Sequence, residues 1–188
     1  MKKVLIFILF ISYNVFAGTD FDSAKNESYK KALPKSIVFY VLADVATVKE
    51  VESNAVDECK NSTPRAKETI CVPFSSLSFI GKQYSEEEVR KIAEKNKNDA
   101  FIYLKPTVAG SNTGTQVYNA VGQNAAVSNT VDKPWIRYEA SLIDAKSGEI
   151  IWSGSGETRG NAFSNKTDVF RTAGKKTIRK LKDDGLIK

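Results

Sequence analysis

An α/β chain of the α+β type, folded as a single domain on a mixed sheet of about five strands, is predicted by three features of the sequence. An unbroken apolar run, Ser36 to Ala43, reads as a strand buried on both faces. Two stretches that open on capping boxes read as helices and alternate with further short strands. That order implies right-handed crossovers and a partly parallel sheet of three strands. The last third then alternates apolar and polar residues through two runs joined by a glycine-containing turn, as an antiparallel hairpin with one wet face does.

Taken in order, residues 18–35 are polar and Lys-rich with Pro34 near their end, and read as an arm carrying one short helix over Ser23 to Leu33. After the first strand, Thr47-Val48-Lys49-Glu50 reads as a capping box. Val48, Val51 and Ala55 continue it at helical spacing to Cys59. Thr69 to Phe74 is a short strand, which Pro73 confines to an edge or an early exit. Ser85-Glu86-Glu87-Glu88 opens a second helix, to Asn96, whose buried face is Val89, Ile92 and Ala93. Ala100 to Leu104 is the third strand. Trp135 to Ile143 and Glu149 to Ser153 form the hairpin, with Gly148 free to take the positive φ of its turn. Asp168 to Lys182 is an amphipathic helix with Val169, Phe170, Ala173, Thr177, Ile178 and Leu181 on its buried stripe, and Gly185 stops it.

The first residues carry an address rather than a fold. Lys2 and Lys3 precede a run from Val4 to Ile11 that is too short to span a bilayer comfortably, and Val15-Phe16-Ala17 suits signal peptidase. Residues 1–17 are therefore read as a cleaved signal peptide, and the remainder as periplasmic. No cysteine follows the apolar run, so the expectation is a soluble protein and not a lipoprotein. Loss of Lys2 and Lys3 lowers the net charge from +6 to +4. That mild excess suits an anionic lipid or glycan surface, or simply a lysine-solvated exterior, and gives no field of the kind that binds nucleic acid.

Cys59 and Cys71 are the only cysteines. In an oxidising compartment an isolated pair across a short polar loop reads as a structural disulfide, since thiol redox catalysts space their cysteines two residues apart. The chain has no histidine. That removes Ser-His-Asp and Cys-His catalysis and His-ligated zinc. No phosphate-cradling glycine motif is present, and Gly154-Ser155-Gly156 reads instead as a place where a strand bends or sheds side chains beside a neighbour. A carboxylate pair such as Glu139 and Glu157 could meet across the sheet, but both fall on positions expected to be exposed, and nothing in the pattern supplies the cleft that paired acids need. The expectation is a non-enzyme without catalytic residues, metal or cofactor.

Gly110 to Val131 is entirely uncharged and built from small polar residues, Val and one aromatic, Tyr118. It reads as a flexible loop between two long strands, as a surface that orders on a partner or on a copy of itself, or as a membrane-inserting hairpin. Tyr118, with the neighbouring Trp135 and Arg137, forms the candidate interaction surface, because Trp and Arg are frequent interface anchors. A second candidate is the outer side of the last helix, where Lys175 and Arg179 belong to a basic stripe suited to anionic lipid or glycan, or simply to solvent.

Asn98-Asp99-Ala100-Phe101-Ile102-Tyr103 and the hairpin Tyr138 to Ser153, with its Leu142-Ile143-Asp144 ending, Lys146-Ser147-Gly148-Glu149 turn and Trp152-Ser153 return, resemble a group of bacterial envelope domains. The group comprises the amino-terminal domain of the Tol-system translocation protein, the penicillin-binding-protein activator lipoproteins and the curli secretion channel family. The resemblance spans about half of the exported chain. It implies a layered α/β domain with a mixed sheet and an accessory or assembly role in the cell envelope, through contact with another envelope protein or by self-association. It carries over neither a lipid anchor nor a pore.

Overall fold

In the computed structural model, residues 21–60, 69–119 and 126–187 are described, with side chains assigned outside 114–129. The predicted signal peptide lies outside the described residues. The elements run β1 (Phe21–Lys25), β2 (Ser36–Val41), α1 (Val45–Lys60), β3 (Ile70–Pro73), α2 (Glu86–Lys95), β4 (Ala100–Asn119), β5 (Ala126–Asp144), β6 (Ile150–Arg159) and α3 (Lys166–Asp183). They build one six-stranded mixed sheet in the order β1-β6-β5-β4-β2-β3. β2 pairs in parallel with β3 and β4, and the β4–β5, β5–β6 and β1–β6 pairs are antiparallel.

Alternation along the strands sends their side chains into two cores. Ile37, Phe39 and Val41 of β2, Ile102 and Leu104 of β4, and Ile136, Tyr138 and Leu142 of β5 pack under α1 and α3. Val38 and Tyr40 of β2 with Phe101 of β4 point the other way and are covered by Val89 and Ala93 of α2. This double burial is why β2 reads as an unbroken apolar run. The capping box of α2 is present as expected, with Ser85 and Glu88 each accepting from the other's backbone N–H. α3 has its own, between Asn165 and Asp168. Gly148 and Gly185 both take φ of +72°, at the hairpin turn and at the helix stop. Cys59 and Cys71 are bonded, with Cα atoms 6.3 Å apart, and tie the last turn of α1 to β3.

Four expectations are corrected. The arm at 18–35 contributes a strand, not a helix: β1 pairs with β6 from Phe21 opposite Gly156 to Lys25 opposite Trp152, so the sheet has six strands and the domain starts before residue 36. Here Gly154 and Gly156 explain themselves. A Cβ on Gly154 would lie 2.5 Å from the Phe21 ring and 2.7 Å from Trp152, and one on Gly156 2.9 Å from Phe21. The two glycines clear a slot in which Phe21 stacks on Trp152, with ring centroids 6.0 Å apart. Second, α1 starts almost a turn before the predicted Thr47 box. Asp44 supplies the cap, accepting from the Thr47 N–H at 3.1 Å, while Thr47 itself is buried. Third, the sheet's third and fourth strands are far longer than the apolar runs that announce them. Fourth, most of the segment read as a flexible loop is paired strand: Gly110 to Asn119 belongs to β4 and Ala126 to Val131 to β5, leaving only residues 120–125 outside the described residues.

Candidate functional site

The sheet proper ends well before its two longest strands do. β2 accompanies β4 only as far as Leu104, and β6 accompanies β5 only as far as Trp135. Outward of those points β4 and β5 pair with each other alone, from Gly110 opposite Trp135 to Asn119 opposite Ala126. The result is a two-stranded ribbon with no third strand paired to it among the described residues. Each strand keeps one row of N–H and C=O groups that no strand among the described residues takes up. Such a ribbon is marginal in water on its own, and proteins that leave edges open usually guard them with charges or proline. Between 110 and 131 this one has neither. A register shift between Pro106 and Val108 marks where the ribbon leaves the sheet.

At the root of the ribbon the sequence-predicted Trp135 and Arg137 meet. The Trp135 indole lies across Gly110, where a Cβ would fall 2.9 Å from Nε1. The Arg137 guanidinium sits 5.7 Å from the Trp135 ring centroid and donates to Glu157 at 2.8 Å. Arg159 reaches the other oxygen of Glu157. Both arginines hold the Glu157 carboxyl below its ordinary pKa. Two residues that the sequence did not single out join this surface. Arg159 is one, and the other is Phe163, 82% exposed in the loop that Gly160 ties to Pro134 by a 2.7 Å hydrogen bond. No periodicity marks an exposed aromatic in a six-residue loop, so only the fold could reveal it. Tyr118 lies far along the ribbon, opposite Val127 and distant in register from Trp135, so the predicted trio is spread along the ribbon.

Glu139 and Glu157 are not opposite each other. Glu139 faces Ser155 and Lys105, and Glu157 faces Arg137, so the pair has no shared site. The basic stripe on α3 is mostly turned to structural use. Arg171 bonds Glu50 at 2.9 Å, and Arg179 grips Glu58 at 2.8 and 3.1 Å. Lys182 donates to the Glu58 carbonyl at 2.5 Å. These contacts run between α3 and α1, and Arg179 keeps the Glu58 carboxyl below its usual pKa. Lys175 adds to that same field at Glu58.

One buried group escaped the sequence reading. Glu52 of α1 is fully buried, one oxygen accepting from the Ser75 N–H at 2.8 Å and the other, Oε1, making no hydrogen bond among the described residues. Burial pushes its pKa up to about 7. Among the described residues there is no cluster of three or more His, Cys, Asp or Glu suited to a metal, and no helix long and apolar enough to cross a membrane.

No protein-family profile and no curated protein matches the chain. Solved structures do. A point variant of the PelC dodecamer from Paraburkholderia phytofirmans superposes with a TM-score of 0.52 at 12% identity, covering 86% of this chain and 96% of that one. Lipoprotein GNA1162 from Neisseria meningitidis aligns at 18% identity and a TM-score of 0.43 over 79% of this chain and 98% of that one. At 12% identity the PelC match shows a shared fold over that 86% of the chain and nothing more.

Proposed function

We propose that the chain is an exported, non-enzymatic accessory or assembly protein of the bacterial cell envelope that works by contact, with copies of itself as the first partner. The observation that carries this reading is the ribbon: two long strands, uncharged from 110 to 131, whose outer backbone edges have no strand beside them among the described residues. Pairing the β4 edge of one copy with the β5 edge of the next satisfies both rows. Such a contact is head-to-tail, which yields closed rings when the rotation between copies closes. Two further facts support it. The hairpin from Tyr138 to Ser153 resembles that of envelope accessory domains, and the PelC chain that shares the fold is described as a dodecamer. Trp135, Arg137, Arg159 and Phe163 at the root supply the aromatic and arginine anchors that interfaces use.

The test is sedimentation of the exported chain, from Gly18 on, beside a shortened form in which residues 112–133 are replaced by Asn-Gly, a two-residue turn suited to joining Ser111 to Pro134. The full chain sediments as a concentration-dependent oligomer and the shortened one as a folded monomer. A full chain that stays monomeric at all concentrations, or a shortened chain that assembles equally well, contradicts the reading.

A further inference from the structure

The groove at the N-terminal ends of β2 and β4 has a volume of about 540 Å³ and is lined by residues from three separate loops. Leu33 and Pro34 line it from the segment before β2, together with Lys35; Lys97 comes from the turn after α2, and Lys146 from the β5–β6 turn. All three lysines are exposed, and among the described residues none has a carboxylate partner within salt-bridge distance. Three acids line the same groove and keep their charge, but each is engaged by other donors, Glu94 by the Arg90 guanidinium at 3.4 Å. Asp99 accepts the backbone N–H groups of Lys35 and Ser36 at 2.8 and 3.1 Å. Asp144 takes the N–H groups of Lys146 and Ser147, the Ser147 and Tyr29 hydroxyls and the Lys31 ammonium. Burial works against that carboxylate, yet these donors hold its pKa at about 2. Lys97 keeps its place at a cost in backbone strain, with φ of +59° where glycine or asparagine is the usual choice.

We propose that this groove binds a phosphate-bearing ligand through Lys35, Lys97 and Lys146. The lining carries Lys31, Lys35, Lys97 and Lys146 against Glu94, Asp99 and Asp144. The three lysines without a salt-bridge partner among the described residues stand around a concavity of ligand size. Arg90, the arginine nearest the groove's α2 side, has its fork taken by Glu87 and the Ala145 carbonyl. Recognition is therefore by mobile point charges, which suit a tetrahedral phosphate better than a planar carboxylate that calls for an arginine fork. The site is distinct from the ribbon and from α3, where the two arginines are held by α1 acids.

Two probes separate the sources of phosphate: soluble polyphosphate, and vesicles containing one-fifth phosphatidylglycerol. The full exported chain is expected to bind at least one probe at low salt and to lose affinity steeply as salt rises. Lys35→Gln/Lys97→Asn/Lys146→Gln weakens that binding at least about tenfold, the value of some 1.4 kcal/mol, while Lys175→Gln/Arg179→Gln binds as the parent does. Asn at 97 tolerates the left-handed backbone, and unchanged thermal unfolding certifies the fold. Vesicle binding alone assigns the ligand to a lipid headgroup, and polyphosphate binding alone to a soluble or polymeric phosphate. The proposal is overturned if neither probe binds at low salt, if the groove variant binds as the parent does, or if the α3 variant loses affinity equally.

Discussion

Replacing Glu52 with Gln should make the protein more stable at high pH and leave its stability nearly unchanged at low pH. Glu52 is fully buried, receives one hydrogen bond from the Ser75 N–H, and touches no lysine or arginine among the described residues. Tyr40, on β2, feels the Glu52 charge, and burial first of all holds that hydroxyl above its ordinary pKa. Burial outweighs the hydrogen bonds that favour the charged form, chiefly from Ser75, and raises the carboxyl from 4.5 to about 7. The folded state therefore binds the proton more tightly than the unfolded chain does. Its stability from this group is complete below the unfolded value, falls as pH rises through that interval, and is flat above it. At about 1.4 kcal/mol per pH unit, the loss across the interval is about 3 kcal/mol. The Gln side chain keeps an acceptor for Ser75 and never ionises. Its N–H₂ group takes the place of the protonated carboxyl's O–H donor and does not titrate, so it adds no pH dependence of its own. The assay is urea unfolding of both proteins, disulfide intact, at pH 4.5, 6, 7 and 8. The difference in unfolding free energy should shift by about 3 kcal/mol in favour of Gln between the lowest and highest pH. A difference that stays constant with pH refutes the reasoning, whatever its sign.

Three further outcomes follow from the same contacts. Replacing Cys59 and Cys71 together by Ala should cost about 3 kcal/mol in urea unfolding, the chain-entropy value for a loop of this length, and an unchanged midpoint would refute it. Gly154→Ala should destabilise by about 1–3 kcal/mol because its methyl collides with Phe21 and Trp152. Part of that cost should vanish in a Phe21→Ala background, the contact with Trp152 remaining, and fully additive penalties would mean the slot is not where β1 docks. Asp144→Asn should cost about 2 kcal/mol at pH 7, matching the drop of its pKa to about 2. Because that pKa is depressed, the penalty should shrink as pH falls from 4 towards 2, and a penalty that persists there would contradict the assignment.

The core was legible because burial imposes periodicity. Ser36 to Val41 is covered on both faces, α2 announces itself by its Ser85–Glu88 box, and the turn at Gly148 needs a residue tolerant of positive φ. The disulfide was legible because only two cysteines exist to pair. The missed features lack those constraints. β1 offers a single aromatic, Phe21, and its evidence lies some 130 residues away in the two glycines that make room for it. The ribbon has no core against which to alternate, so Gly110 to Val131 shows no strand pattern although it pairs along most of its length. Capping of α1 was misplaced because Thr47 and Glu50 satisfy the box by identity, whereas the fold buries Thr47 and lets Asp44 accept in its stead. The basic stripe on α3 looked available because the acids that answer it, Glu50 and Glu58, come from a helix over a hundred residues earlier. For the same reason the lysine groove could not be read in advance, since its three ammonium groups come from three distant loops.

The most direct test of the proposed contact is photocrosslinking in the living cell from a reactive residue at Tyr118, with Lys91 on the exposed side of α2 as the control position. Assembly through the ribbon predicts a ladder of covalently joined copies of this chain from position 118 and none from 91. Equal capture from both positions, or no self-capture from 118, would contradict it.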